Sequence, residues 1–351
     1  MNINATSIFE EFSQTAEKLN KGYEALQHME KVEVATTPKE MVWQRDKVKL
    51  YHYIRETPAK CKIPILVSFA MLNRHDVLDL QPDRSLIKKL MEEGLDIYIM
   101  DWGYPTQADK YLTMEDYIDG YMNDAVDFIR RKHGIEKINK QGICQGGTYS
   151  MIYACKYPEK LNSLVTYVAP YDFGDNDNML YKWAKYLDVD AMVDSVGTIP
   201  GSMIDSAFGM LNPSMNITKY LGIMDSLEDK NKVENFLRME HWKADLPAIP
   251  GEMYRKYIKD LFQENKLIKG KMYLNGEKVD LKKMTVPFLN IYATNDAIIP
   301  NESTKAVMPK LGTKDKTEIP FPGGHIGVFV GSRSQKELAP SIAKWTIEHS
   351  N

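Results

Sequence analysis

The chain has 351 residues, 43% of them hydrophobic and 26% charged, with a formal net charge of -3. That length can bury a large core and exceeds the usual size of one domain, so one large domain carrying an insertion is expected. The basic residues form no single run, which argues against a nucleic-acid partner, whose binding needs many neutralised phosphates.

The N-terminus, "MNINATSIFEEFSQ", lacks the basic start and unbroken apolar core of a signal peptide. The longest apolar run, Ile65 to Leu72 and interrupted by Ser68, is far short of the roughly 20 residues a membrane-spanning helix needs. A cytoplasmic protein without a membrane span is expected. Cys61, Cys144 and Cys155 are odd in number and show no C-x-x-C spacing, so neither a disulfide framework nor a metal site is expected.

In chain order, residues 1–40 read as a helical segment. In "IFEEFSQTAEKLNKGYEALQHM", Phe9, Phe12, Ala16, Leu19, Tyr23 and Leu26 recur at spacings of three and four and form one apolar stripe. The stripe is too short for a lasting coiled coil and needs cover, either from the chain's own core domain or from a helical partner. "VKLYHYI" from Val48, "IPILVSFA" from Ile63 and "LDIYIMDW" from Leu95 read as strands. Between the last two, "DRSLIKKLMEE" places Leu86, Ile87, Leu90 and Met91 at helical spacing, with Asp83 or Ser85 as cap and Gly94 as stop. "MEDYIDGYMNDAVDFIRRKHG" is a second helix closed by Gly134. Strands alternating with helices predict an α/β fold, a mainly parallel sheet covered by helices on both faces.

Next comes "GICQGG", Gly142 to Gly147, with the outline of a nucleophile elbow, G-x-nucleophile-x-G, in which a strand turns sharply into a helix and exposes one side chain at the tip. Here that side chain is Cys144. The following "TYSMIYACKYP" reads as a helix whose N-terminus would favour Cys144 as a thiolate. "KINKQ", ahead of the elbow, is too polar for an ordinary central strand. "LNSLVTYVAP" resumes the pattern, which then breaks down between Tyr171 and about Met284. That stretch reads as a mainly helical insertion, with one hairpin turning at Asn275-Gly276. "TVPFLNIYATNDAIIP" from Thr285 is a further strand, and the chain ends in a helix near "SQKELAPSIAKWTIEH". The expected units are a core of 41–170 and 285–351 with a cap of 171–284.

A nucleophile needs a base, and the base an orienter. In folds with this elbow the order is nucleophile, acid, histidine. Asp296 follows the strand "FLNIYATN", and His325 lies between glycines in "FPGGHIG". Asp101, Asp119 and Asp172 are rival carboxylates. Of the other histidines, His28, His52, His133 and His349 sit in elements or at the terminus, while His75 and His241 remain open.

These residues resemble a known family, the short two-subunit class III polyhydroxyalkanoate synthases. The likeness runs almost end to end through "LNRHDVLDLQPDRSLI", "DIYIMDWGYP", "EDYIDGYMNDAVDFIR", "GICQGG", "VDSVGTIPG", "NFLRMEHW", "VPFLNIYATND" and "FPGGHIGVFV". Ala297, where relatives often carry histidine, and the polar "KINKQ" are departures. The resemblance implies an α/β-hydrolase fold and an acyltransferase that polymerises short-chain (R)-3-hydroxyacyl groups, mainly 3-hydroxybutyryl, from coenzyme A thioesters. It implies Cys144, Asp296 and His325 as the catalytic triad, and the backbone N–H groups of Gln145 and about Leu72 as oxyanion donors. It implies no cofactor, coenzyme A being released from the substrate. As partners it implies a second synthase subunit, a homodimer formed through the cap, and the polymer granule surface. The single-chain members carry a long additional N-terminal domain, which strengthens the expectation of a second subunit here. Two other readings use the same residues: a cysteine thioesterase or dienelactone-type hydrolase, and a noncatalytic granule-binding protein.

Overall fold

The computed structural model describes residues 32–174, 177–211, 223 and 229–350. The apolar stripe from Phe9 to Leu26 lies outside them. The described end of the segment expected to be helical needs correction: residues 32–38 form no helix, and a strand, β1 (Lys39–Arg45), begins there. Its sequence, KEMVWQR, is largely exposed at the sheet edge, so burial imposes no clean alternation that would announce a strand.

Eight strands form one sheet in the order β1-β2-β4-β3-β5-β6-β9-β10. They are β1, β2 (Val48–Tyr53), β3 (Ile65–Ser68), β4 (Ile97–Asp101), β5 (Ile138–Ile143), β6 (Leu161–Tyr167), β9 (Phe288–Ala293) and β10 (Lys316–Phe321). β1 and β2 pair antiparallel, as do β2 and β4; the pairings from β4 through β10 are parallel. Parallel neighbours require crossovers, which put helices on both faces and bury the central strands completely. Side chains then alternate between two cores. Leu66, Tyr98 and Met100 enter one, while Ile65, Val67, Ile97 and Ile99 enter the other.

The crossovers include α1 (Leu86–Glu92), whose cap is Ser85, accepting from the Lys88 N–H at 2.9 Å. A π-helical stretch, Asp116–Met122, runs into α2 (Asn123–His133), and Gly134 ends it in the left-handed conformation.

The polar strand before the elbow is a true central strand, buried at every position. It survives because its polar groups find partners, Gln141 Nε2 excepted. The Asn139 amide donates to Ser350 Oγ at 2.8 Å and its oxygen accepts from Ser163 Oγ at 2.7 Å. Gln141 accepts from the Tyr167 hydroxyl at 2.8 Å, and Lys140 Nζ donates to Ser68 Oγ at 2.6 Å. Buried polar groups cost little once paired.

The region after Tyr171 is mainly helical, as expected, with α4 (Met179–Tyr186), α5 (Val189–Val196), α6 (Gly201–Leu211), α7 (Lys230–Ala244) and α8 (Gly251–Lys256), the last continuing as a π-helical stretch, Tyr257–Gln263. Its two ends are tied together: Asn265 donates to Asp172 Oδ1 at 2.7 Å and accepts from the Phe173 N–H at 3.0 Å. The hairpin β7 (Tyr273–Leu274) and β8 (Glu277–Lys278) turns at Asn275-Gly276, both with positive φ. It packs on the core instead of covering the elbow. Lys156 Nζ bonds the Leu274 carbonyl at 3.3 Å, and Asn275 donates to Asp119 at 2.6 Å.

Candidate active site

β5 ends at Ile143, and α3 (Gln145–Lys156) begins two residues later. Cys144, between them, has φ 52° and ψ -125°, a conformation that only strong surrounding constraints maintain in a non-glycine residue. The constraints are local. The Cys144 N–H donates to the Tyr167 carbonyl at 2.8 Å, and its carbonyl accepts from the Gly147 N–H at 2.8 Å. A Cβ at Gly142 would sit 2.6 Å from Gly147 Cα, and one at Gly146 would run into the carbonyl oxygens of Ser68 and Phe69. Glycine is therefore required for strand and helix to approach this closely, which leaves the thiol partly accessible at the tip. Cys61 and Cys155 are buried; burial pushes the Cys155 thiol up, away from ionisation.

Asp296 lies three residues after β9, and His325 lies four residues after β10. β10 was not anticipated, because its sequence KTEIPF is mostly exposed and contains a proline. His325 Nδ1 pairs with Asp296 Oδ2 at 2.7 Å, while Asp296 Oδ1 accepts the N–H groups of Ile298 and Ile299 at 2.8 and 2.9 Å. These side chains are shielded, with exposures of 10% for His325 and 2% for Asp296. Burial opposes a charged ring, but hydrogen bonds to Asp296 and to the Cys144 side chain outweigh it and push His325 up to about 10. The three residues named from the sequence thus meet, joined from the ends of three different strands.

Asp101, Asp119 and Asp172 are committed elsewhere: to Arg74, to Lys156 and to Asn265. His75 is buried beside Asp101, and His241 is exposed on α7. Among the described residues, no group of three or more His, Cys, Asp or Glu side chains has metal-binding geometry.

Gln145 is the first residue of α3, where a backbone N–H has no intrahelical acceptor. Its side-chain Oε1 accepts the Met71 N–H at 2.9 Å. Leu72 follows in the loop after β3. No acceptor among the described residues takes its N–H.

The sequence reading missed the aromatic wall. Phe173, Tyr181, Tyr257 and Phe262 pack together with ring centroids 4.6 to 6.2 Å apart, and Tyr149 of α3 meets Tyr257 at 5.9 Å. Tyr181 OH lies 3.0 Å from Ser303 Oγ, and Asn178 donates to the Ile298 carbonyl at 3.1 Å, so α4 is fastened to the acid's own loop. The signal was the aromatic density of "YDFGDNDNMLYKW" and "YIKDLF". Only folding brings the two segments together.

Residues 75–332 match the alpha/beta hydrolase fold family, and residues 6–90 match the N-terminal region of poly-beta-hydroxybutyrate polymerase. The poly(3-hydroxyalkanoate) polymerase subunit PhaC of Allochromatium vinosum is 42% identical over 351 residues, covering 99% of both chains. The Synechocystis protein of the same name is 42% identical over 95% of this chain and 90% of its own. Among solved structures, a putative lipase from Sulfolobus solfataricus superposes with a TM-score of 0.55 at 15% identity, covering 91% of this chain and 99% of its own. A monoacylglycerol lipase from Paleococcus ferrophilus gives 0.53 at 18% identity, covering 86% and 99%. At such identities these two speak for the fold alone. With 42% identity to polymerase subunits along essentially its whole length, the chain belongs to the poly(3-hydroxyalkanoate) polymerase family, built on an α/β-hydrolase fold.

Proposed function

We propose that this chain is the catalytic subunit of a polyhydroxyalkanoate synthase, joining short-chain (R)-3-hydroxyacyl groups from coenzyme A thioesters into polyester through a covalent intermediate on Cys144. The observation that carries the reading is the Cys144–His325–Asp296 contact at a glycine-framed elbow, in a chain this close to polymerase subunits.

Sulfur suits the task. Transfer from the coenzyme A thiol to another thiol is nearly isoenergetic, so the acyl group is held without losing its reactivity. The Cys144 thiolate attacks the thioester carbonyl, the coenzyme A thiolate leaves, and the His325 imidazolium returns a proton to it. The hydroxyl of another monomer or of the chain end then attacks the acyl-cysteine. His325 takes its proton, an oxygen ester forms, and the Cys144 thiolate is expelled. Asp296, bonded to Nδ1, keeps Nε2 facing the thiol and offsets the ring's charge. The N–H groups of Gln145 and Leu72 would receive the oxyanion in each step. The aromatic wall supports this reading by keeping water from the acyl-cysteine, without which the enzyme would be a thioesterase.

The word "subunit" in the relatives' names and the apolar stripe of residues 9–26 support a second subunit as partner, acting at the surface of the polymer granule. The discriminating experiment supplies 3-hydroxybutyryl-CoA and follows both coenzyme A release and the product. Insoluble polymer, with acyl-enzyme on a Cys144 peptide, is expected; free hydroxy acid would make this a thioesterase instead.

A further inference from the structure

The loop joining β3 to α1 carries the Leu72 N–H, and its backbone is pinned at intervals. The Phe69 carbonyl accepts from Trp102 Nε1 at 2.9 Å, and the Met71 N–H is held by Gln145 at 2.9 Å. Three residues further on, the Arg74 carbonyl accepts from Trp242 Nε1 at 2.7 Å. The first two anchors come from the core. The third comes from the cap, on α7, and Trp242 is only 6% exposed.

Leu72 therefore sits between a core anchor and a cap anchor, with its own N–H untaken. We propose that Trp242 is a positioning residue for acylation: by holding the Arg74 carbonyl it aims the Leu72 N–H at the oxygen that becomes negative in the tetrahedral intermediate. This inference rests on the reading of Cys144 as the acyl-accepting nucleophile.

The surroundings direct the force of that hydrogen bond onto the loop. The Arg74 guanidinium forks onto Asp101, with Nη2 to Oδ2 at 2.8 Å, and lies over the Tyr104 ring at 4.7 Å. Asp101 is itself held by the Gly103 N–H at 2.9 Å. The Tyr104 hydroxyl donates to Asp245, the residue that caps the C-terminus of α7, at 2.7 Å. The Arg74 side chain and the end of α7 are thus fixed to the same part of the core. The indole N–H sets where the Arg74 backbone lies between them. An oxyanion donor works within about 2.7–3.1 Å of the developing charge, so a small pivot of this loop removes most of its effect. The cap then does more than cover the site, since one of its side chains completes the geometry of the acyl-transfer machinery.

The test separates oxyanion geometry from general loosening. Trp242 is replaced in the full chain by benzothienylalanine, an isostere with sulfur in place of the ring N–H, and separately by Trp242→Phe. Each protein is followed in single-turnover acylation of Cys144 by 3-hydroxybutyryl-CoA, and in alkylation of Cys144 by iodoacetamide. Alkylation uses the same thiol and the same histidine but forms no oxyanion. Acylation is expected to slow about tenfold in both variants, a fraction of the roughly 100- to 1000-fold loss when a donor is deleted outright. The thioester concentration for half-saturation and the alkylation rate are expected to stay at the wild-type values. Unchanged acylation in the isostere, or equal slowing of acylation and alkylation, overturns the proposal. A wild-type chain that alkylates but never acylates at Cys144 would sink the nucleophile reading instead, and this inference with it.

Discussion

At the scale of single residues, chemistry is concentrated where a side chain is held somewhere it would not go by itself. Cys144, with its positive φ, is one such residue, and Cys144→Ala should abolish polymer formation. Cys61→Ala and Cys155→Ala should retain most of it, at a stability cost of roughly 1 kcal/mol each. Polymer yield and thermal melting of the three variants check this; normal polymer from Cys144→Ala would refute the assignment. His325→Gln should stop acylation and elongation alike. Asp296→Asn should spare some acylation and stop elongation more severely, because a thiol intrinsically gives up its proton more readily than a hydroxyl. Single-turnover acylation measured apart from chain growth decides it, and equal losses in the two stages would leave Asp296 as an orienting residue only.

His75 offers a test of pH dependence away from the triad. Burial is the main cause that brings it down to about 4, against the pull of Asp76 and Asp101 and with Lys39 and Arg74 adding to the effect. The ring is thus neutral near pH 7. Its Nε2 has no hydrogen-bond partner, and its 3.7 Å approach to Asp76 is no ion pair. Because the folded value lies below the unfolded 6.5, the stability linked to His75 is complete above pH 6.5 and is lost as pH falls through about 4. Between pH 7 and 4.5 the wild type should therefore lose about 2 kcal/mol more than His75→Gln. Denaturant titrations of both proteins at the two pH values measure the difference, and parallel losses would place the acid sensitivity elsewhere.

At the scale of elements, β5 shows how a polar sequence becomes a central strand. Lys140 lies wholly inside it, with hydroxyl and carbonyl partners, and burial pulls its pKa well below 10.5. Wherever the folded amine is neutral and the unfolded one charged, the unfolded chain binds one more proton, so stability rises with pH up to the unfolded value of 10.5. The slope approaches about 1.4 kcal/mol per pH unit where the folded amine is neutral. Lys140→Met should fold and should lose that slope. Unfolding free energies at pH 7.5, 8.5 and 9.5 for the two proteins give the comparison, and an unchanged slope would mean that the amine is charged in the folded strand.

At the scale of the whole molecule, the proposed polymerase activity is expected to depend on the cap and on the N-terminal segment. The Asn178 cap of α4 is bonded to the loop of Asp296, and the Tyr257 ring packs against Tyr149 of α3. The purified chain is expected to polymerise slowly and with a lag that a second synthase subunit shortens. Deleting residues 1–29 should weaken that activation without changing alkylation of Cys144. Initial rates with and without the partner test both parts. Full activity of the chain alone would remove the need for a second subunit, and undiminished activation after the deletion would move the docking surface away from the Phe9–Leu26 stripe.

The candidate triad was legible from local residues. Cys144 between glycines, a carboxylate after a buried strand and a histidine in a glycine loop appear in a fixed order, because the elbow and the strand-end loops are local structures set by local residues. The alternation of strand and helix, and the Asn275-Gly276 hairpin, were legible for the same reason. Tertiary structure alone decided what local patterns do not encode. β1 and β10 are strands because a neighbouring edge offers hydrogen bonds, although their own side chains stay exposed. "INKQGI" is buried because Ser68, Ser163, Tyr167 and Ser350, from 24 to 211 positions of sequence apart from their partners, bring the matching polar atoms. The aromatic wall and the Trp242 anchor join segments far apart in the chain, and contacts made across such separations leave no periodicity in the chain to read.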